Sequence, residues 1–196
     1  MSLSRQQLTL LGIFALFFGP VLLVMLMRSS WWQYQPSDLK NRGQLVQPPV
    51  QLSLDQTQDT DGKWLILYVL DQPCDQECIA NVTALRQIHR AVGRNGEHLV
   101  VALLSDTQTD PELRSRLVAI YPEFSFFVDS GQEALITLEK INLRLAKSES
   151  DSDDIQMYIL DPLRNVILAY QTGTDPADIL KDLKRLLKWS DQGSRK

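Results

Sequence analysis

The sequence predicts an α/β fold, with a mostly parallel sheet that ends in an antiparallel C-terminal hairpin, helices on both faces, and one N-terminal transmembrane helix in front. Three observations predict it. Leu8–Met27 is a run of twenty residues without a charge. Beyond residue 60, short continuous apolar runs alternate with stretches whose apolar residues recur at spacings of three and four, the marks of buried strands and amphipathic helices in turn. The last two apolar runs are separated only by Asp-Pro-Leu-Arg-Asn, which is hairpin spacing.

The apolar run is bounded by Arg5 and Arg28 and is long enough to cross a hydrocarbon layer of about 30 Å. Trp31, Trp32 and Tyr34 come directly after it, as aromatic residues do at the headgroup level. No small-x-small cleavage site follows Met27. The expectation is an uncleaved anchor over residues 1–34, with its span at 8–27. Arg5 and the amino terminus face Arg28, Lys40 and Arg42 across that span, so the basic count alone places the C-terminal domain in the cytoplasm.

Residues 35–60 are polar and rich in Pro and Gln, and read as an extended tether. The folded domain is expected over 61–190, with a tail over 191–196. Its strands are predicted at Lys63–Leu70, Leu99–Ser105, Glu123–Val128, Ile155–Leu160 and Val166–Tyr170. Between the first two lies a helix, Asp75–Val92, with a stripe of Cys78, Ile79, Val82, Leu85, Ile88 and Val92. Asp110 and Pro111 open the next helix, by N-cap and first-turn chemistry, with Leu113, Leu117 and Ile120 facing inward. Gln132–Lys147 is the third, with Ala134, Leu135, Leu138, Ile141 and Leu145 in register. Asp175 and Pro176 cap the last helix, striped by Ile179, Leu180, Leu183, Leu186 and Leu187. Trp64 reads as core, and Lys147–Asp154 as an acidic loop. This order of elements is that of thioredoxin-like domains.

Composition narrows the function. Hydrophobic content of 44% and charged content of 22% supply a core and argue against disorder. A net charge of -4 argues against nucleic-acid binding. Two histidines argue against a rich metal cluster, and two cysteines allow one disulfide or one thiolate site. Cys74 falls in the loop after the first domain strand and Cys78 in the first turn of the next helix, at the strand ends where α/β folds keep their sites. Four residues apart, the two sulfurs can bond to each other or clamp one soft metal ion. The helix N-terminus favours thiolate, while Asp71, Asp75 and Glu77 oppose it and attract cations.

The uncleaved anchor, the tether Asn41–Pro49, the run Gly62–Val69 before a C-x-x-x-C pair, and Met157–Tyr170 resemble the Sco/SenC family of cytochrome c oxidase assembly proteins. The resemblance is to a divergent, membrane-anchored relative, and extends over roughly residues 40 to 190 in motif order more than in identity. It implies a thioredoxin-like domain on a single-pass bacterial inner-membrane anchor, held in the periplasm. It further implies an accessory factor in oxidase assembly, chaperone more than enzyme, that handles Cu(I) or thiols. Its partners would be oxidase subunits or other assembly factors. By the resemblance, Cys74 and Cys78 match the copper-binding cysteines, and the family's histidine ligand falls at about Asp153, where this chain has none. The third ligand stays open, with Met157 and Asp153 as candidates, Met157 also reading as strand core. His89 lies eleven residues past Cys78 on the same helix, about 16 Å along its axis, and His98 belongs to the opposite edge of the sheet.

Three functions remain open at this point. The cysteines could hold Cu(I) as two soft thiolates. They could form the reversible pair of a thiol-disulfide oxidoreductase. Or they could staple a non-catalytic, membrane-anchored interaction module.

Overall fold

The computed structural model describes residues 4–28, 41–54, 60–70, 74–106, 110–146 and 155–193. The chain divides into two compact units, Met1–Lys40 and Asn41–Lys196.

The first unit holds α1 (Arg5–Arg28). Ser4 and Gln7 cap it reciprocally, the Ser4 N–H donating to Gln7 Oε1 at 3.1 Å and the Gln7 N–H to Ser4 Oγ at 3.4 Å. Its apolar side chains point outward all round, Leu16 and Phe17 at 74% and 71% exposure among them. Arg5–Leu26, with a mean hydropathy of 2.5, is long and apolar enough to cross a membrane. Trp31, Trp32 and Tyr34 lie outside the described residues.

The second unit runs β1 (Gln44–Gln51), β2 (Trp64–Val69), α2 (Gln76–Val92), a 3-10 turn (Gly93–His98), β3 (Leu99–Ser105), α3 (Pro111–Ile120), β4 (Ser125–Val128), α4 (Glu133–Ala146), β5 (Ile155–Leu160), β6 (Asn165–Gln171) and α5 (Pro176–Gly193). The six strands form one sheet in the order β1-β6-β5-β2-β3-β4. β2, β3 and β4 run parallel, whereas β5, β6 and β1 pair antiparallel. The hairpin and helices on both faces are as expected, but the sheet is mixed rather than mostly parallel.

Part of that difference comes from the expected tether. Residues 44–51 are not a free linker but an edge strand paired to β6. Val46 and Leu52 are 4% and 2% exposed, so two apolar residues in a polar stretch are enough to seat it. Pro48 and Pro49 lack the N–H a central strand needs, and an edge position tolerates that loss. The register shifts between Leu45 and Val50, where the prolines lie. At the other end, α5 continues through Gly193, into the stretch expected as tail.

β2 is buried on both sides, which is why it reads as a continuous apolar run. Trp64, Ile66 and Tyr68 face α2, α3 and α5. Leu65 and Leu67 face the layer of α4, with Val46 and Leu52. Two expected core residues are corrected. Ile79 is 39% exposed because it is turned about 100° around the helix from buried Cys78. Ile120 is 55% exposed at the last position of α3. Tyr121 enters the core in its place and stacks on Phe124 at 5.1 Å.

Asp182, 1% exposed on α5, ties the start of this unit down. Its Oδ2 accepts the backbone N–H groups of Arg42 at 2.7 Å and Gly43 at 3.0 Å. Arg185 Nη1 stands 3.7 Å from Oδ1.

Candidate redox site

The site is built at the carboxyl end of β2. Leu70 continues the pairing one step past the strand, its N–H donating to the Leu104 carbonyl at 2.8 Å. Residues 71–73 lie outside the described residues, and the chain resumes at Cys74. Asp75 is the N-cap of α2, with extended backbone, and its Oδ1 accepts the N–H groups of Glu77 and Cys78 at 3.0 Å each. The Ile79 N–H donates to the Asp75 carbonyl at 3.1 Å and closes the first helical turn.

That cap sets the direction of the pair. Cys78 falls on the buried stripe of α2 and is 2% exposed, while Cys74 is half-buried and packs against the same core. The two are joined as a disulfide with Cα atoms 5.2 Å apart. Of the pairings the spacing allows, the oxidised one is present, with one sulfur residue nearer solvent than the other. The acid at Asp75, which sequence reasoning treats as a neighbouring charge, is first of all a helix cap. Its signal was in the chain, an acid directly before an apolar helical stripe.

The surroundings are mainly apolar, with one polar cluster. Tyr68, on the β2 face that looks toward α2, donates its hydroxyl to Gln156 Oε1 at 3.0 Å and accepts from Asn81 Nδ2 at 3.4 Å. Sequence reasoning missed these contacts, since three separate elements supply them. Met157 stands opposite Tyr68 in the β2–β5 ladder, half-buried against the same core as both cysteines. Asp153 lies outside the described residues. Among the described residues no group of three or more His, Cys, Asp and Glu side chains could hold a metal. His89 is half-buried, with Nε2 3.3 Å from the Leu99 carbonyl, which makes it a structural residue. His98, beside Glu97 at 3.5 Å, precedes β3 and so sits at the amino end of a strand parallel to β2, away from Cys74.

A family model described as "Transmembrane-like, thioredoxin-like, C-terminal domain" matches residues 64–190. The chain belongs to this family. The transmembrane-like, thioredoxin-like match spans the described domain from β2 almost to the end of α5. Solved structures place the fold further. Arabidopsis thaliana ScoI with copper bound is similar at 20% identity and TM-score 0.50, over 74% of this chain and 99% of that one. Yeast Sco1 with copper bound is similar at 17% identity and TM-score 0.51, over 66% of this chain and 80% of that one. The expected likeness to Sco proteins is therefore present in the fold of this transmembrane-like, thioredoxin-like chain. No curated protein matches it by sequence.

Proposed function

We propose that this protein is a membrane-anchored thiol-disulfide factor of the Sco type, in which Cys74 and Cys78 cycle between disulfide and dithiol in the assembly of cytochrome c oxidase. The observation that carries the reading is the asymmetry of the pair, a half-buried Cys74 beside a fully buried Cys78 at the carboxyl end of β2. Exchange needs one sulfur that a partner can reach and a second held close to release it. In the forward step, a Cys74 thiolate attacks one sulfur of a partner disulfide, forming a mixed disulfide and releasing a partner thiolate. Cys78 then attacks Cys74, closing the pair and releasing the second partner thiol. Two electrons and two protons pass to the partner.

A second reading, Cu(I) as cargo on the reduced pair, is favoured by the Met157 thioether packed against the same core. Among the described residues, two thiolates and that thioether are the soft donors packed on this core, and no three-residue cluster of His, Cys, Asp and Glu supports them. The family resemblance supports periplasmic placement on a bacterial inner membrane, against the basic count.

The test uses the full chain in detergent micelles. Equilibration with glutathione buffers should give a reversible two-electron transition at Cys74–Cys78. A pair that stays oxidised in excess dithiothreitol while the protein remains folded would be a staple, and the proposal would fail. Titration of the reduced protein with Cu(I) against a chromophoric chelator decides the second reading, which ends if no copper is taken up. A reporter active only after export, fused to the C-terminus, reads the orientation.

A further inference from the structure

We infer that the outer face of α5 is a docking surface for anionic phospholipid headgroups. Lys181, Lys184, Arg185 and Lys188 recur there at spacings of three and four, and at 100° per residue they fall within about 100° of one another around the axis. That arc points away from the core, because Ile179, Leu183 and Leu187 occupy the other side of the helix. Lys181, Lys184 and Lys188 are exposed. In a chain with a net charge of -4, this helix face is a concentration of positive charge.

The acids of α5 cancel it only in part. Asp182 is buried, and its Oδ2 is taken by the Arg42 and Gly43 N–H groups. Asp178 is shared between Lys181 Nζ at 2.9 Å and Arg42 Nε at 3.8 Å. Exposed Arg42 thereby stands beside the arc as a further cation. Lys184 and Lys188 form no ion pair among the described residues. Asp191, the third acid of the helix, is followed in the sequence by Arg195 and Lys196.

Two observations select a lipid surface from among polyanions. The backbone of Arg42 and Gly43 is tied to α5, so the segment that comes from α1 enters the domain against this helix. Arg28, at the end of α1, and Asn41 lie thirteen positions apart, at most about 45 Å of extended chain. A connection that short offers the face to a membrane crossed by α1 at high effective concentration. The second observation is the residue type. Three of the four cations on the arc are lysines, single point charges suited to a field of headgroups, whereas bidentate capture of one phosphate calls for arginine. The apolar stripe of α5 is committed to the core, so the docking is electrostatic and does not insert the helix.

The test uses the full chain in nanodiscs of phosphatidylcholine alone and of an equal mixture with phosphatidylglycerol. Acetylation by a neutral amine reagent, read by mass spectrometry, should slow at Lys181, Lys184 and Lys188 by at least about fivefold in the anionic discs. Lys140, exposed on α4 across the sheet, should keep its rate. High salt should erase the difference. Lys181→Gln/Lys184→Gln leaves Lys188 as reporter, and its slowing should fall by at least about half. Equal rates in the two kinds of disc overturn the inference, and so does undiminished slowing at Lys188 in the variant. Equal slowing at Lys140 overturns it as well, since that is a general effect of the disc. Slowing in neutral micelles without lipid assigns the face to a second copy of the chain, and slowing there by soluble glycerol phosphate assigns it to a single anion; either result overturns docking on a membrane. A chain that does not enter the discs overturns it too. None of these outcomes bears on exchange at Cys74 and Cys78.

Discussion

The Tyr170 hydroxyl donates to Asp182 Oδ2 at 3.1 Å inside the domain, and the same oxygen receives the backbone of Arg42 and Gly43. One carboxylate oxygen thus joins β6, α5 and the chain entering the domain. Asp182→Ala would leave three donors without their acceptor, at about 1–3 kcal/mol for each one left buried. Some relaxation is expected, and urea unfolding of the protein in micelles should show a loss of about 2–4 kcal/mol. A loss under about 0.5 kcal/mol, the range of ordinary surface changes, would mean that the tie contributes nothing.

Gly43 is where the same tie meets Tyr170 directly. A Cβ there would stand 2.6 Å from Tyr170 Cε1 and Cζ, well inside contact distance. Gly43→Ala should cost about 1–3 kcal/mol, as overpacking does. Pairing it with Tyr170→Leu should recover part of that loss. A double variant no better than the sum of its parts would argue against the clash.

Alkaline pH should weaken the fold through two tyrosines. Burial pushes the Tyr170 hydroxyl well above its ordinary value of 10.0, with Asp182 adding to it. Burial does the same at Tyr158, opposed by its hydrogen bond to Asn142. Both stay neutral in the fold after the unfolded chain has begun to ionise. Their contribution is complete below pH 10 and declines as pH rises above it, by about 1.4 kcal/mol per pH unit for each group. Stability measured from about pH 10 to 12 should fall toward the summed slope of the two groups, and Tyr158→Phe should about halve it. An identical slope in the variant would remove Tyr158 from the account.

The two cysteines should trap partners unequally. Cys78→Ser leaves half-buried Cys74 without its resolving partner, and should accumulate mixed disulfides with a small disulfide probe such as oxidised glutathione. Cys74→Ser leaves a thiol that is 2% exposed, which should react at least about tenfold more slowly, since reactivity follows access. Mass spectrometry of the adducts distinguishes the two. Equal trapping would make the burial asymmetry irrelevant.

Much of this was legible in the chain because the signals are local. Asp110 and Asp175 cap their helices as their positions suggest, accepting the N–H groups of Glu112 and Ala177 at 2.9 and 2.8 Å. The cysteine site fell at its strand-to-helix junction for the same reason. What escaped was held by distant partners. Among its described residues, the Pro- and Gln-rich stretch before the domain carries only two fully buried apolar side chains, and its pairing with β6 is invisible to composition. Asp182 looks like one more charge on an amphipathic helix, yet its donor Arg42 lies 140 positions away. The Tyr68, Asn81 and Gln156 contacts beside the disulfide share this non-local origin.

The edge position of β1 bears on where the protein can be cut. A soluble fragment starting at residue 61, the boundary composition suggests, would lack β1 and leave β6 with an open row of backbone donors and acceptors. Such an edge is a template for another copy. The proline pair that disguises β1 as a linker also blunts the sheet's rim, because residues without an N–H cannot extend a ladder. A fragment starting near Asn41 keeps that guard; one starting at 61 should self-associate.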